Sequence, residues 1–207
     1  MDLFDFIKKC PLGRIPDNVA IDLLIQIFSA ISYLHGKSII HCDIKPENFV
    51  VIFDKNNMPV LKLIDFQSVI IKNKSKIHNQ NFKGTTYYKP PEGFGNSYIN
   101  EKVDEWAVGI IMYIMLTGYE PFGDVSNLEN SIKFQNIDFN KIKNPSLRIL
   151  NQKLLNRDPL YRISAKEGIE MLNKIKKNIM LEKRGLKIHN NRININNQKI
   201  CLYNYHM

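Results

Sequence analysis

Four polar residues in one short stretch could do chemistry together: Asp43, Lys45 and Asn48, and then Asp65 after two apolar runs. An amide oxygen and a carboxylate are hard oxygen donors suited to Mg²⁺, which usually keeps several waters and binds phosphate oxygens as well. A lone Asp/Asn pair beside a turn is commonly just a backbone cap. Two carboxylates, an amide and a lysine converging on one place favour a metal and phosphate site instead.

Convergence depends on the elements between them. Phe49-Val-Val-Ile-Phe53 and Val60-Leu-Lys-Leu-Ile64 are strand-like runs, separated by the turn-rich 54–59 segment. If that six-residue turn pairs Phe53 with Val60, an antiparallel register sets Asn48 opposite Asp65. Directly opposed residues have Cβ atoms roughly 4.5–5.5 Å apart. Asp43 and Lys45 then lie in the loop leading into the hairpin. On either side the texture is helical. Residues 17–35 are apolar around most of the circumference, with Pro16-Asp17 as a start and Gly36 as a stop. Residues 104–117 behave alike: Asp104 and Glu105 favour the positive helix end and Gly118 closes the run. Residues 66–84 read as a long exposed loop, and helices are expected over 126–134, 145–156 and 164–183. The expected fold is mainly α, with one small β-hairpin.

Composition narrows the class. The chain has 207 residues, 44% hydrophobic and 24% charged, enough for one real core. Three scattered cysteines, Cys10, Cys42 and Cys201, form no C-x-x-C pair, which points to a reducing compartment. No charged-then-apolar leader opens the sequence, so an intracellular, cytoplasmic location is expected. The longest apolar stretch, Trp106 to Leu116, is 11 residues, too short to span a bilayer, and no membrane role is expected. Of the +9 net charge, residues 166–207 carry nine Lys or Arg against three acids, so the excess sits near the C-terminus. A dense basic run is missing there, so a solvated extension is expected rather than a nucleic-acid surface.

The same residues then match a family. His41-Cys-Asp43-Ile-Lys45-Pro-Glu-Asn48 followed by Asp65-Phe-Gln67 resembles the catalytic loop and metal-binding segment of eukaryotic-type serine/threonine protein kinases, H-R-D-x-x-x-x-N and D-F-G. Gly84-Thr-Thr-Tyr-Tyr-Lys-Pro90-Pro-Glu92 is similar to the end of an activation segment, with Pro90-Pro91-Glu92 standing for A-P-E. Asp104-Glu-Trp-Ala-Val-Gly109, Glu120-Pro-Phe122 and Arg162 after Asp158-Pro159 fall in the expected order. The resemblance implies a protein-kinase-like C-lobe over 1–178, an incomplete kinase domain, with a basic Asn/Lys-rich tail over 179–207.

It also implies roles. Asp43 would accept or orient the proton of a substrate hydroxyl, and Lys45 would place positive charge beside the transferring phosphoryl group. Asn48 and Asp65 would hold the Mg²⁺ that bridges ATP phosphates, with Lys45 also on the nucleotide side. Thr85 would support Asp43 and border the acceptor site. Asp104 would anchor the catalytic loop, Glu92 would pair with Arg162, and His41 and Phe66 would pack. The expected cofactors are ATP and Mg²⁺, and the expected partner is a protein carrying a Ser or Thr acceptor.

Three departures carry expectations of their own. Cys42 stands where many kinases have an arginine that receives a loop phosphate, so little activation by phosphorylation at Ser68, Ser75 or Thr86 is expected. Gln67 replaces a glycine. The family's N-terminal lobe motifs, a Gly-rich loop, a strand lysine and a helix glutamate, do not occur upstream of His41. The expected function is a serine/threonine kinase whose N-lobe lies outside this chain or is supplied by a partner at an exposed interlobe face. The alternative is a non-catalytic C-lobe interaction module or a kinase gene fragment.

Overall fold

The structure is a computed structural model and describes residues 1–72, 77–95, 97–123 and 126–189. Ser75, Cys201 and the tail beyond His189 lie outside the described residues. In chain order the elements are α1 (Leu3–Lys9), α2 (Asp17–Gly36), β1 (Ile39–Ile40), β2 (Phe49–Phe53), β3 (Pro59–Leu63), β4 (Ile70–Ile71), β5 (Ile77–His78), β6 (Tyr98–Ile99), α3 (Lys102–Thr117), α4 (Leu128–Phe134), α5 (Pro145–Leu154) and α6 (Ala165–His189).

The core is built on α3. Every residue from Val103 to Thr117 is buried, because α2 and α5 pack against it and α6 in turn covers α2 and α5. Gly118, at φ 76°, ends α3 in the left-handed conformation that glycine adopts without a Cβ clash. By length and composition α2 is apolar enough to cross a membrane. Its Leu23, Leu24, Ile27, Phe28 and Ile31 are nevertheless fully buried within the protein core. The start of α6 is set by a capping box: Ser164 N and Oγ donate to Glu167 Oε2 at 2.8 and 2.6 Å, and Glu167 N donates back to Ser164 Oγ at 3.3 Å.

The hairpin forms, in a different register from the expected one. Phe53 pairs with Pro59, not Val60, and Phe49 pairs with Leu63. The turn is shorter because Asp54 closes it. Asp54 Oδ1 accepts from Asn56 N at 2.8 Å and Met58 N at 2.9 Å, while Asn57 takes a left-handed φ of 57°. Asn48 therefore faces Ile64, whose N–H donates to the Asn48 carbonyl at 2.9 Å, and Asp65 falls one residue beyond. A side chain of α2 holds the hairpin in place: Gln26 Nε2 donates to Pro59 O at 3.1 Å and its Oε1 accepts from Leu61 N at 2.9 Å.

The hairpin is not the sole β structure. Two further two-residue pairs, β1 with β4 and β5 with β6, join segments far apart in sequence. They cross the 66–84 segment expected to be a free loop. Ile77 within it is buried beside Ile40, Cys42, Ile99 and Val103. Strands of two residues carry no legible period, and only the distant partner makes them strands.

Candidate active site

Asp104 organises the loop that carries the site. Its Oδ2 accepts from His41 N and its Oδ1 from Cys42 N, both at 2.9 Å. These bonds hold Cys42 at a left-handed φ of 66°, a conformation that costs a non-glycine residue about 1–2 kcal/mol. Asp104 is 1% exposed and lies in the first turn of α3. It is thus a buried anchor rather than a charge on an exposed helix end. Glu105 departs from the helix-end reading in the same way: buried, it accepts from Ala165 N at 2.9 Å and so caps α6.

His35 completes this anchor, and no motif singled it out. Its Nε2 lies 2.9 Å from Asp104 Oδ2 and its Nδ1 3.4 Å from Glu105 Oε1. Burial alone would lower its pKa, but bonding to the two carboxylates outweighs that and raises it to about 9. The available signal was its position in the last turn of a largely apolar helix, next to the final Gly36.

Four of the five expected site residues meet in one hydrogen-bonded cluster. Asp43 Oδ1 accepts from Thr85 N at 2.8 Å and from Thr85 Oγ1 at 2.7 Å. Asp43 Oδ2 lies 2.9 Å from Lys45 Nζ, which also donates to Thr85 Oγ1 at 2.9 Å. Asn48 Nδ2 donates to Asp43 O at 2.8 Å and to Asp43 Oδ2 at 3.2 Å. Burial would push the Asp43 carboxyl up. The bonds from Lys45 and Thr85 outweigh it and hold the group below the usual carboxylate range. Gly84 permits this approach: a Cβ there would sit 1.9 Å from the Cys42 carbonyl oxygen.

Asp65 stands apart from this cluster. It is exposed at the end of the hairpin, with a left-handed φ of 63°, and its Oδ1 accepts from Gln67 N at 3.2 Å. The left-handed residue is Asp65 and not Gln67, so glutamine in place of glycine adds no backbone strain. His41 packs edge-on to Phe66 at 5.3 Å, as expected, and burial lowers its pKa. Phe66 is nonetheless 49% exposed, so its outer face lacks cover in this chain.

The donor set fits a Mg²⁺–nucleotide complex. A carbonyl oxygen can only accept, so the Asn48 amide nitrogen must face Asp43 O. That turns the amide oxygen the other way, free to serve as a hard ligand, and Asp65 offers a solvent-facing carboxylate. Among the described residues no group of three or more His, Cys, Asp or Glu could hold a metal. The protein would supply few ligands, and phosphates and water the rest, as Mg²⁺ prefers.

Farther from the site, Glu92 and Arg162 form a bidentate pair. Arg162 Nη1 donates to Glu92 Oε1 at 2.6 Å and Nη2 to Oε2 at 3.0 Å. The guanidinium also donates to the Asn156 and Lys102 carbonyls and lies 5.0 Å from the Trp106 ring. The pair ties the end of the activation-like segment to the chain just before α6.

Comparison with known proteins agrees with this geometry. Residues 1–172 match the family described as protein kinase domain. The serine/threonine-protein kinase dkf-1 of Caenorhabditis briggsae is 33% identical over 175 residues, 82% of this chain and 23% of that protein. Serine/threonine-protein kinase D2 of Homo sapiens is 37% identical over 133 residues, 64% of this chain and 15% of its own length. The D2 protein of Rattus norvegicus matches to the same extent. The chain spans less than a quarter of the length of these relatives. With the family match covering the catalytic loop, the activation-like segment and the buried helix α3, the chain belongs to the protein kinase family.

Proposed function

We propose that this chain is the C-lobe of a serine/threonine protein kinase, transferring the γ-phosphate of ATP to Ser or Thr hydroxyls of a protein. The observation that carries this is the Asp43 carboxylate, held ionised and oriented by Thr85, Lys45 and Asn48. A bare structural aspartate would not need a lysine and a threonine hydroxyl on both of its oxygens.

In this reading Asp43 accepts the hydrogen bond of the incoming hydroxyl and takes up its proton as that oxygen bonds to the γ-phosphorus and the bond from that phosphorus to ADP breaks, ADP leaving. Its depressed pKa keeps the resting carboxylate charged near neutrality, ready to orient the hydroxyl. Lys45 keeps a positive charge beside the carboxylate and the transferring group. Asn48 and Asp65 would hold Mg²⁺, which when bound would offset the negative charge of the ATP phosphates. Thr85 fixes the carboxylate plane at the edge of the acceptor site.

The hairpin face supports a covering lobe or partner protein. Phe66 and Ile64, 49% and 41% exposed, are large apolar side chains flanking Asp65, and Ile52, 40% exposed, lies farther along the same hairpin. An N-lobe, in the same polypeptide or in trans, would bury them and complete the nucleotide site. We place the protein inside the cell, consistent with the free buried thiol of Cys42. The test is phosphate transfer with Mg²⁺ and ATP by the native chain, alone and with a supplied N-lobe, against Asp43→Asn. Transfer lost at least a hundredfold in Asp43→Asn supports the reading. No transfer by either chain, together with tight binding of a partner, establishes the non-catalytic module instead.

A further inference from the structure

A groove opens at the C-terminal end of α3, where the chain linking α1 to α2 crosses the helix terminus. Its apolar wall includes Leu12, Pro16 and Leu116, its polar groups are Arg14, Asp17 and Lys143, and its volume is about 410 Å³. That is in the range of ligand sites, ~300–1,000 Å³. Along the helix Leu116 stands roughly 18 Å from Asp104, at about 1.5 Å per residue. None of the lining residues belongs to the catalytic cluster or to the hairpin.

The groove is preformed. Ile15 N donates to Met115 O at 2.7 Å, and Ile15 is buried. Gly118 lets the two segments touch: a Cβ there would lie 3.0 Å from both the Leu12 and the Gly13 carbonyl oxygens. Leu12 is held at a left-handed φ of 61° and is 82% exposed. A leucine in that conformation is strained, and its side chain is left outside the core. Tyr119, next to Gly118 in the chain, is exposed as well.

The cations have no counter-charge either. Arg14 and Lys143 are exposed, and neither forms an ion pair among the described residues. Lys141, with its ammonium 4.7 Å from the Tyr119 ring centroid, adds a third positive charge beside them. Asp17, in the first turn of α2, is the one acid in the lining. An apolar slot flanked by cations complements a peptide that bears one large apolar side chain among carboxylates. A lipid surface fits less well, since Asp17 would repel its phosphates, whereas it can accept an N–H from a peptide backbone.

We propose that this groove docks an acidic segment of a partner protein, its apolar side chain between Leu12 and Leu116 and its carboxylates on Arg14 and Lys143. The contact is independent of the kinase reading, since no group of the catalytic cluster takes part.

The test is fluorescence anisotropy with labelled nine-residue peptides, titrated with the native 207-residue chain. Each carries Leu, Ile or Phe at its centre, flanked by Glu; matched controls have Ala at the centre or Lys in place of Glu. At least one apolar, acidic peptide should bind about tenfold more tightly than both of its controls, and binding should weaken as salt is raised. Arg14→Gln combined with Lys143→Gln should remove that advantage. Leu12→Asn should remove it too without lowering the melting temperature, because asparagine tolerates the left-handed φ. Asp43→Asn should bind as the native chain does. No binding by any peptide up to about millimolar concentration overturns the inference. Native affinity in the double variant or in Leu12→Asn also overturns it. So does loss of binding in Asp43→Asn, which would put the peptide in the catalytic cluster. Capture by phosphatidylserine vesicles that is lost in the double variant, with no peptide bound, makes the groove a membrane contact and overturns the inference as well.

Discussion

His35 Nε2 and Asp104 Oδ2 meet at 2.9 Å across 69 residues of sequence, joining the end of α2 to the start of α3 beneath the catalytic loop. Glu105 lies on the other ring nitrogen, and the histidine pKa is raised from 6.5 to about 9. A raised histidine stabilises the fold fully below its unfolded value of 6.5, and that contribution is lost as pH climbs through 9. The whole shift is worth about 3 kcal/mol. Urea unfolding should show stability falling by up to that amount between pH 6.5 and 9.5. His35→Gln should flatten the decline; a slope unchanged by the substitution would refute the assignment.

Thr85 donates both its N–H and its hydroxyl to the same Asp43 oxygen. Thr85→Val removes the hydroxyl bond and leaves Lys45 one acceptor fewer. In a transfer assay kcat should fall about tenfold, the scale of one charge-assisted bond. The acid limb of the pH profile should move upward, because Asp43 loses a bond that favours its ionised form. Thr85→Ser should restore both. A normal pH profile in Thr85→Val would mean the hydroxyl does not tune Asp43.

The Glu92–Arg162 pair has an arginine side chain with 0% exposure. Glu92→Ala leaves that charge buried without its partner and should cost about 3–5 kcal/mol in chemical unfolding. Adding Arg162→Met should recover much of the loss, since an apolar replacement removes the stranded charge. A loss below about 1 kcal/mol in the single variant would show that the site relaxes or admits water.

Cys42 packs among Ile40, Ile77, Ile99 and Val103, with Ile70 and Phe82 against them. Apolar contact and two short strand pairs therefore hold Ile70, Ile71, Ile77, His78 and Phe82, without any need for a phosphate on a cation. Ser68→Ala and Thr86→Ala should leave phosphate transfer within about threefold of the native rate, as the absence of a paired cation implies. A hundredfold loss would disprove this. Cys42→Arg should destabilise by about 2 kcal/mol or more, because it buries an unpaired guanidinium in that cluster.

Much of the site was legible in the sequence because its residues are local in the chain. Asp43, Lys45 and Asn48 lie within six residues, and the order of motifs from His41 to Arg162 points to the kinase family. The helices were legible for the same reason: apolar runs with a start and a stop gave α2, α3, α5 and α6 to within a few residues, though α6 continues to His189. The hairpin register was not legible, because one hydrogen-bonding side chain, Asp54, shortened the turn by a residue and moved Asp65 out of line with Asn48.

By itself, then, the sequence determined which groups are present, their spacing within each loop, and the family to which the order of motifs belongs. Only the tertiary structure decided what those groups touch. It placed Thr85 on Asp43, set His35 between two buried carboxylates and gave Glu105 to a different helix. The reason is physical: a local pattern specifies backbone conformation, whereas the cost of burying a charge is settled by whichever distant group arrives beside it.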